Sequence, residues 1–273
     1  MGDERARFET ARRAGLAAVG VGAGIGTLRE RSLHAVLKYW ADPDETHHEI
    51  PLEGLVADVF DGERVTEIQT RGFSKLRPKL ARLLPRYPVT VIYPVAQVKR
   101  TAWIDPETGE STPLRRSPKT GRVWDAFAEM YYLRDYLRDY LLGGLRRDAG
   151  AGGLELRILY LEIEEYRLLD GWSRDRKRGA HRAERIPVSL LSEQALRSVE
   201  DFTALLPCSL EDGFTSAELA RALSLRRNRA QQAANILYSI GSIIRMGKSG
   251  NAYQYARPAS GKASHSVVDL KSI

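Results

Sequence analysis

The sequence predicts a mixed α/β (α+β) chain in which a mixed sheet flanked by helices is followed by a small C-terminal helical module. Three observations carry this expectation. Between residues 27 and 95 the patterns run helix, three short strands, helix, apolar strand, and elements alternating in this way build a sheet covered by helices. The 273 residues, 43% apolar and 28% charged, have the usage of a folded chain of one or two domains. From residue 192 to 258 the periodicity turns to helices closed by a two-stranded hairpin.

Taken in order, residues 1–26 are charged and then Gly-rich. The glycines at 20, 22, 24 and 26 fall at every second position, which is not a dinucleotide-binding spacing, so this stretch reads as a flexible lead. Thr27 and Glu30 have capping-box spacing, and Leu28, Leu33, Val36, Leu37 and Trp40 recur as a helical stripe ending before Pro43. Strand character follows over 47–52, 55–60 and 64–70, with Asp61-Gly62 as a hairpin turn. A helix is expected over 73–84 and an apolar strand over 88–94, bounded by prolines. Residues 97–104 and the turn at 105–109 suggest a two-stranded extension; a long helix is expected over 123–142. Strands are then expected over 154–169 and 186–191, with a basic loop between them. The tyrosine-rich helix 123–142 suits either an internal core position or contact with a second copy in a homodimer. The resulting organisation is a lead (1–26), an α/β domain (27–191), a C-terminal module (192–258) and a polar tail (259–273).

Several classes are excluded by composition. Cys208 is the only cysteine, so no internal disulfide forms, and the five histidines lack zinc-site spacing. No apolar run is long enough to cross a bilayer. A reducing cytoplasm is the expected setting, and a membrane is not an expected partner. The 42 Lys and Arg against 35 Asp and Glu give a net charge of +7. Residues 221–257 hold seven cations and no acid, a single-sign field that suits a polyanion.

One constellation has the residue types for phosphodiester chemistry. Asp58 lies on the second expected strand and Glu67-Ile68-Gln69 on the third. A tight antiparallel hairpin brings Asp58 beside Glu67, and two carboxylates with the Ile68 carbonyl suit a hard cation such as Mg2+ or Mn2+. The plain alternative is a pair of edge-strand charges. His34, on the preceding helix, reads as a lone core-edge or surface histidine. Glu49 and Glu53 flank the first strand, within reach of the acidic cluster but expected at solvated positions.

This order, with Asp and then Glu-x-Gln on the meander, resembles the core of the PD-(D/E)XK nuclease superfamily, the restriction-endonuclease-like fold, over residues 27–95. The resemblance implies that Asp58 and Glu67 are metal ligands. It places Gln69 where the family carries lysine and makes Glu30 the acidic residue of the first helix, a position the capping box explains equally well. Glutamine orients a water but carries no charge; Lys75, two residues into the next helix, is a candidate for that charge.

The C-terminal order of helix, helix, helix and two-stranded wing is that of a winged helix. Its third helix presents Arg226, Arg227, Arg229, Gln231 and Gln232, and its wing Lys248, as candidate DNA contacts. Arg176, Lys177 and Arg178 in the loop at 174–185 form a second candidate contact. The expected function is metal-dependent hydrolysis of DNA targeted by the winged helix. The alternatives are a DNA-binding regulator or assembly factor whose nuclease-like domain is inactive, and a protein-interaction scaffold.

Overall fold

A seven-stranded mixed sheet organises the first of two units, residues 1–197; residues 198–273 form the second. The computed structural model describes residues 2–20, 32–141, 153–171 and 179–258. Glu30, the capping residue Thr27, and Arg176, Lys177 and Arg178 lie outside the described residues.

The charged start is a helix, α1 (Gly2–Ala18), and not a flexible lead. Its buried stripe is narrow: Phe8 and Ala11 enter the core beside α2 (Ser32–Ala41). A Cβ on Gly15 would lie 2.6 Å from the Val36 backbone, so the two helices meet through small residues. That is why the stretch shows so little apolar periodicity. Gly15→Leu is expected to cost about 1–3 kcal/mol by forcing the helices apart, read by urea unfolding; unchanged or raised stability would refute this packing.

The meander consists of β1 (His48–Leu52), β2 (Leu55–Phe60) and β3 (Val65–Ile68), antiparallel throughout. Gly72 turns the chain with φ 75°, its N–H and that of Phe73 donate to the Glu129 carboxylate, and α3 (Arg77–Leu83) follows. The chain returns as β4 (Val89–Ile104), parallel to β3.

Residues 88–94 and 97–104, expected as separate strands, are this one strand, continued through Pro94. The Ile92 carbonyl faces β3, where it accepts the Gln69 N–H at 2.9 Å. Two residues on, the N–H that Pro94 lacks falls on the same edge, where β3 has ended and no ladder partner is lost. Beyond that point β5 (Arg115–Arg116) pairs β4. The sheet is completed by β6 (Leu154–Leu168), parallel to β4, and β7 (His181–Leu196), antiparallel to β6. The path is β1-β2-β3-β4-β6-β7, with β5 off it.

The helix expected over 123–142 is interrupted into 3-10 turns, α4 (Phe127–Met130) and α5 (Arg134–Leu141). Phe127, Met130, Leu133 and Leu137 are all buried within the first unit. Ile68, Ile92, Leu159, Leu161, Ile163 and Leu190 form the sheet side of the core under α1 and α2.

The boundary expected at 191/192 falls at 197/198. Residues 193–196, expected as the first turn of a helix, finish β7, and α6 (Val199–Thr203) begins only after Ser198 closes a capping box with Asp201. The second unit continues with β8 (Phe214–Thr215), α7 (Ser216–Ala222), α8 (Arg227–Ser239), β9 (Ile244–Ser249) and β10 (Ala252–Ala256). Its three strands are ordered β8-β10-β9. Ala230, Ala233, Ala234, Ile236 and Leu237 form the buried side of α8, as its apolar spacing predicts. No helix among the described residues is long and apolar enough to cross a membrane.

Candidate active site

The β2–β3 ladder pairs Phe60 with Val65 and Val59 with Thr66, and the same register carried one residue further sets Asp58 level with Glu67. There the ladder gives way to side chains. The Asp58 carboxylate accepts the Ile68 N–H at 2.7 Å. The two acids expected to meet therefore lie on neighbouring strands, with the Asp58 carboxylate bound to the strand that carries Glu67.

Both faces of β3 are covered. Ile68 joins the core under α2, while the Glu67 side chain, on the opposite face, is fully buried. Such a carboxylate needs a partner, and Lys79 of α3 supplies one, with Nζ 2.7 and 2.9 Å from its two oxygens. On the other flank, His34 Nε2 of α2 lies 3.3 Å from Asp58 Oδ2. Two strands thus contribute the acids, and a helix on each flank contributes a base or cation.

The two carboxyls are driven apart in acidity. Burial and the Asp58 charge push Glu67 from 4.5 up to about 7, against the pull of Lys79. Burial also acts to raise Asp58, but the His34 hydrogen bond and charge, the Ile68 N–H and Lys79 hold it below its ordinary 3.8. A pair of environments that separates two acids in this way is typical of functional sites.

Among the described residues, no three or more His, Cys, Asp or Glu side chains gather as a metal-holding group. The donor set is the two carboxylates, and it still suits Mg2+, which commonly binds through one or two carboxylates with waters and substrate phosphate completing its shell.

Gln69 is half-buried just past the end of β3, and Lys75 is exposed. The cation at Glu67 is therefore Lys79, one helical turn beyond Lys75. Residues 73–76 form a 3-10 turn and α3 starts at Arg77, so counting turns from residue 73 selects the wrong lysine. His34 carried no sequence signal beyond its place in the helical stripe. Glu49 is exposed and pairs with Lys38 at 2.7 Å, outside the cluster.

In the second unit Arg226, Arg227, Asn228, Arg229 and Gln231 are exposed at the start of α8, and Gln232 is half-buried. Arg245 of β9 is held between two rings, 4.1 Å from the Tyr238 centroid and 3.9 Å from that of Tyr253. Lys248 lies 5.0 Å from the Tyr253 ring. These cation–π contacts orient the strand's charges without neutralising them.

Fold and site together define a mixed-sheet α/β chain with a buried two-carboxylate cluster at the end of its meander, followed by a basic helical unit. The chain belongs to the family described as a domain of unknown function, DUF8091, whose model matches residues 31–197. That span ends with the first unit and contains Asp58, Glu67, His34 and Lys79. An uncharacterized protein of Treponema pallidum (strain Nichols) is 29% identical over 199 residues, covering 72% of this chain and 74% of that protein. No solved structure matches.

Proposed function

We propose that the chain is a metal-dependent nuclease of the PD-(D/E)XK type, hydrolysing phosphodiester bonds of DNA in a reducing cytoplasm, with a C-terminal winged helix that binds the duplex. The observation that carries this reading is the Asp58–Glu67 pair, held side by side on adjacent strands with Lys79 on one flank and His34 on the other. The strand order β1-β2-β3-β4, with α2 before it and α3 between β3 and β4, supports the same reading.

Asp58 and Glu67 would hold Mg2+ or Mn2+, which supplies positive charge against the scissile phosphate. Asp58 is kept ionised by His34 and the Ile68 N–H, so it is ready to coordinate at neutral pH. Lys79 carries the charge that Gln69 lacks, and Gln69 orients the attacking water through its amide. The helix, strand, helix, helix and two-strand order of the C-terminal unit supports the winged-helix reading. Its exposed Arg226, Arg227 and Arg229 bind backbone phosphates.

A second reading has its own observation. Lys79 bridges both oxygens of Glu67, where a metal would compete with it, and this favours a DNA-binding regulator or assembly factor whose site is closed. The purified chain, incubated with plasmid and linear DNA in Mg2+ or Mn2+ and in chelator, separates the two. Metal-dependent cleavage supports the nuclease. Salt-sensitive binding without cleavage supports the regulator, and the absence of both cleavage and binding excludes a DNA partner.

A further inference from the structure

Past the core under α1 and α2, β4, β6 and β7 continue together and β5 takes the edge that β3 leaves. Register aligns their side chains in rows on the face that carries Ile163. Lys99 is level with Ile163 and Pro187. The next row is Arg115, Thr101, Glu165 and Arg185, and the one after it Trp103, Arg167 and Arg182. Among the described residues in these rows, five cations share one face with one acid.

That acid is the centre of the arrangement. Glu165 is 2% exposed, and its carboxylate lies 3.6 Å from Lys99 Nζ, 2.8 Å from Arg167 Nε and 3.3 Å from Arg182 Nε. One carboxylate cannot neutralise both Lys99 and Arg167, whose side chains remain 27% and 30% exposed. Arg115, exposed on β5, adds a further cation, and Arg185 is half-buried in the same row. The opposite face of the same strands differs: there Glu162, Glu164 and Glu184 outnumber Arg100 and Arg116, and Arg100 pairs with Glu162 at 2.8 Å. A sheet that needed charge only for solubility would not sort it by face.

We propose that this face binds the phosphate backbone of a nucleic-acid duplex, with Lys99, Arg115, Arg167, Arg182 and Arg185 as the phosphate contacts and Glu165 as the buried carboxylate that fixes three of them. The inference rests on the reading that nucleic acid is the partner. The row from Arg115 to Arg185 crosses three strand spacings, roughly 14 Å, which is too wide for one phosphate group and suits a chain of them. Guanidinium groups fixed on a sheet bind phosphate without the ordering cost of free side chains.

The test is binding of a fluorescently labelled duplex by the full chain in chelator, across a salt series. Lys99→Ala/Arg115→Ala leaves Arg167 and Arg182 on Glu165. It is expected to weaken binding about tenfold and to lower the slope of log K against log salt by about two, one for each cation removed. Arg115→Ala alone, a change at an exposed position, is expected to lower the slope by about one and carries the test if the double variant does not fold. Wild-type affinity and slope in both variants, with the whole salt dependence lost in Arg227→Ala/Arg229→Ala, would overturn the proposal. So would absence of duplex binding by the parent chain, or binding to phosphatidylserine vesicles in its place. Cleavage is scored separately in Mg2+: a chain that binds through this face and does not cut supports the inference and removes the nuclease reading.

Discussion

Asp58→Ala is expected to lower metal-dependent DNA cleavage by about a hundredfold or more while leaving duplex binding in chelator unchanged. It removes one of the two carboxylates available to the ion, and none of the cations that would hold DNA. It also removes the acceptor of the Ile68 N–H, at a structural cost of about 1–3 kcal/mol for a buried donor left unpaired. Asp58→Asn separates these effects. Its amide oxygen still accepts the Ile68 N–H, but it brings no charge to a metal. The expected result is cleavage lost to the same degree with an unfolding midpoint close to the parent's. Cleavage retained in Asp58→Asn would remove Asp58 from the chemistry.

Glu67→Gln is expected to stabilise the fold at pH 8 by about 3 kcal/mol and to abolish cleavage at the same time. The sign follows from linkage. With its carboxyl raised from 4.5 to about 7, the folded state holds the Glu67 proton more tightly than the unfolded chain does. The stability this contributes is fully present below pH 4.5 and is lost as pH rises through about 7. Glutamine keeps the neutral form at every pH, so its advantage grows from nothing near pH 4 to a plateau above pH 7, at about 1.4 kcal/mol per pKa unit. Asp58 runs the other way: with its carboxyl below 3.8, its contribution is present above that pH and is lost in acid. Urea unfolding of parent and Glu67→Gln at pH 4 and pH 8 measures the difference. A gain of equal size at both pH values, or a loss at pH 8, would show that burial does not strain this carboxylate. A side chain whose replacement stabilises the fold and destroys activity is retained for its function.

The mutual placement of Asp58 and Glu67 was legible because it is local. Asp61-Gly62 permits a tight turn, a tight turn sets the register, and that register carried one residue further sets residue 58 level with residue 67. The partners of this pair were not legible. Lys79 reaches Glu67 from a helix whose start depends on a 3-10 turn, and His34 reaches Asp58 from an element separated from it by the whole of β1. The cationic face around Glu165 was equally hidden, since it depends on strands brought together from residues 99, 115, 165 and 182.

By itself, the sequence determined the mixed sheet flanked by helices, the meander with its acidic pair, and the helices and hairpin of a basic C-terminal unit. Each of these follows from periodicity and turn chemistry over a few residues. Tertiary structure alone decided that α1 packs through Gly15, that β4 runs through Pro94, that β7 continues to residue 196, and which cations meet which carboxylates. These outcomes depend on what lies on the far side of an element. A narrow stripe of small residues, a missing N–H on an unpaired edge and a buried charge are each acceptable only in the presence of neighbours distant along the chain.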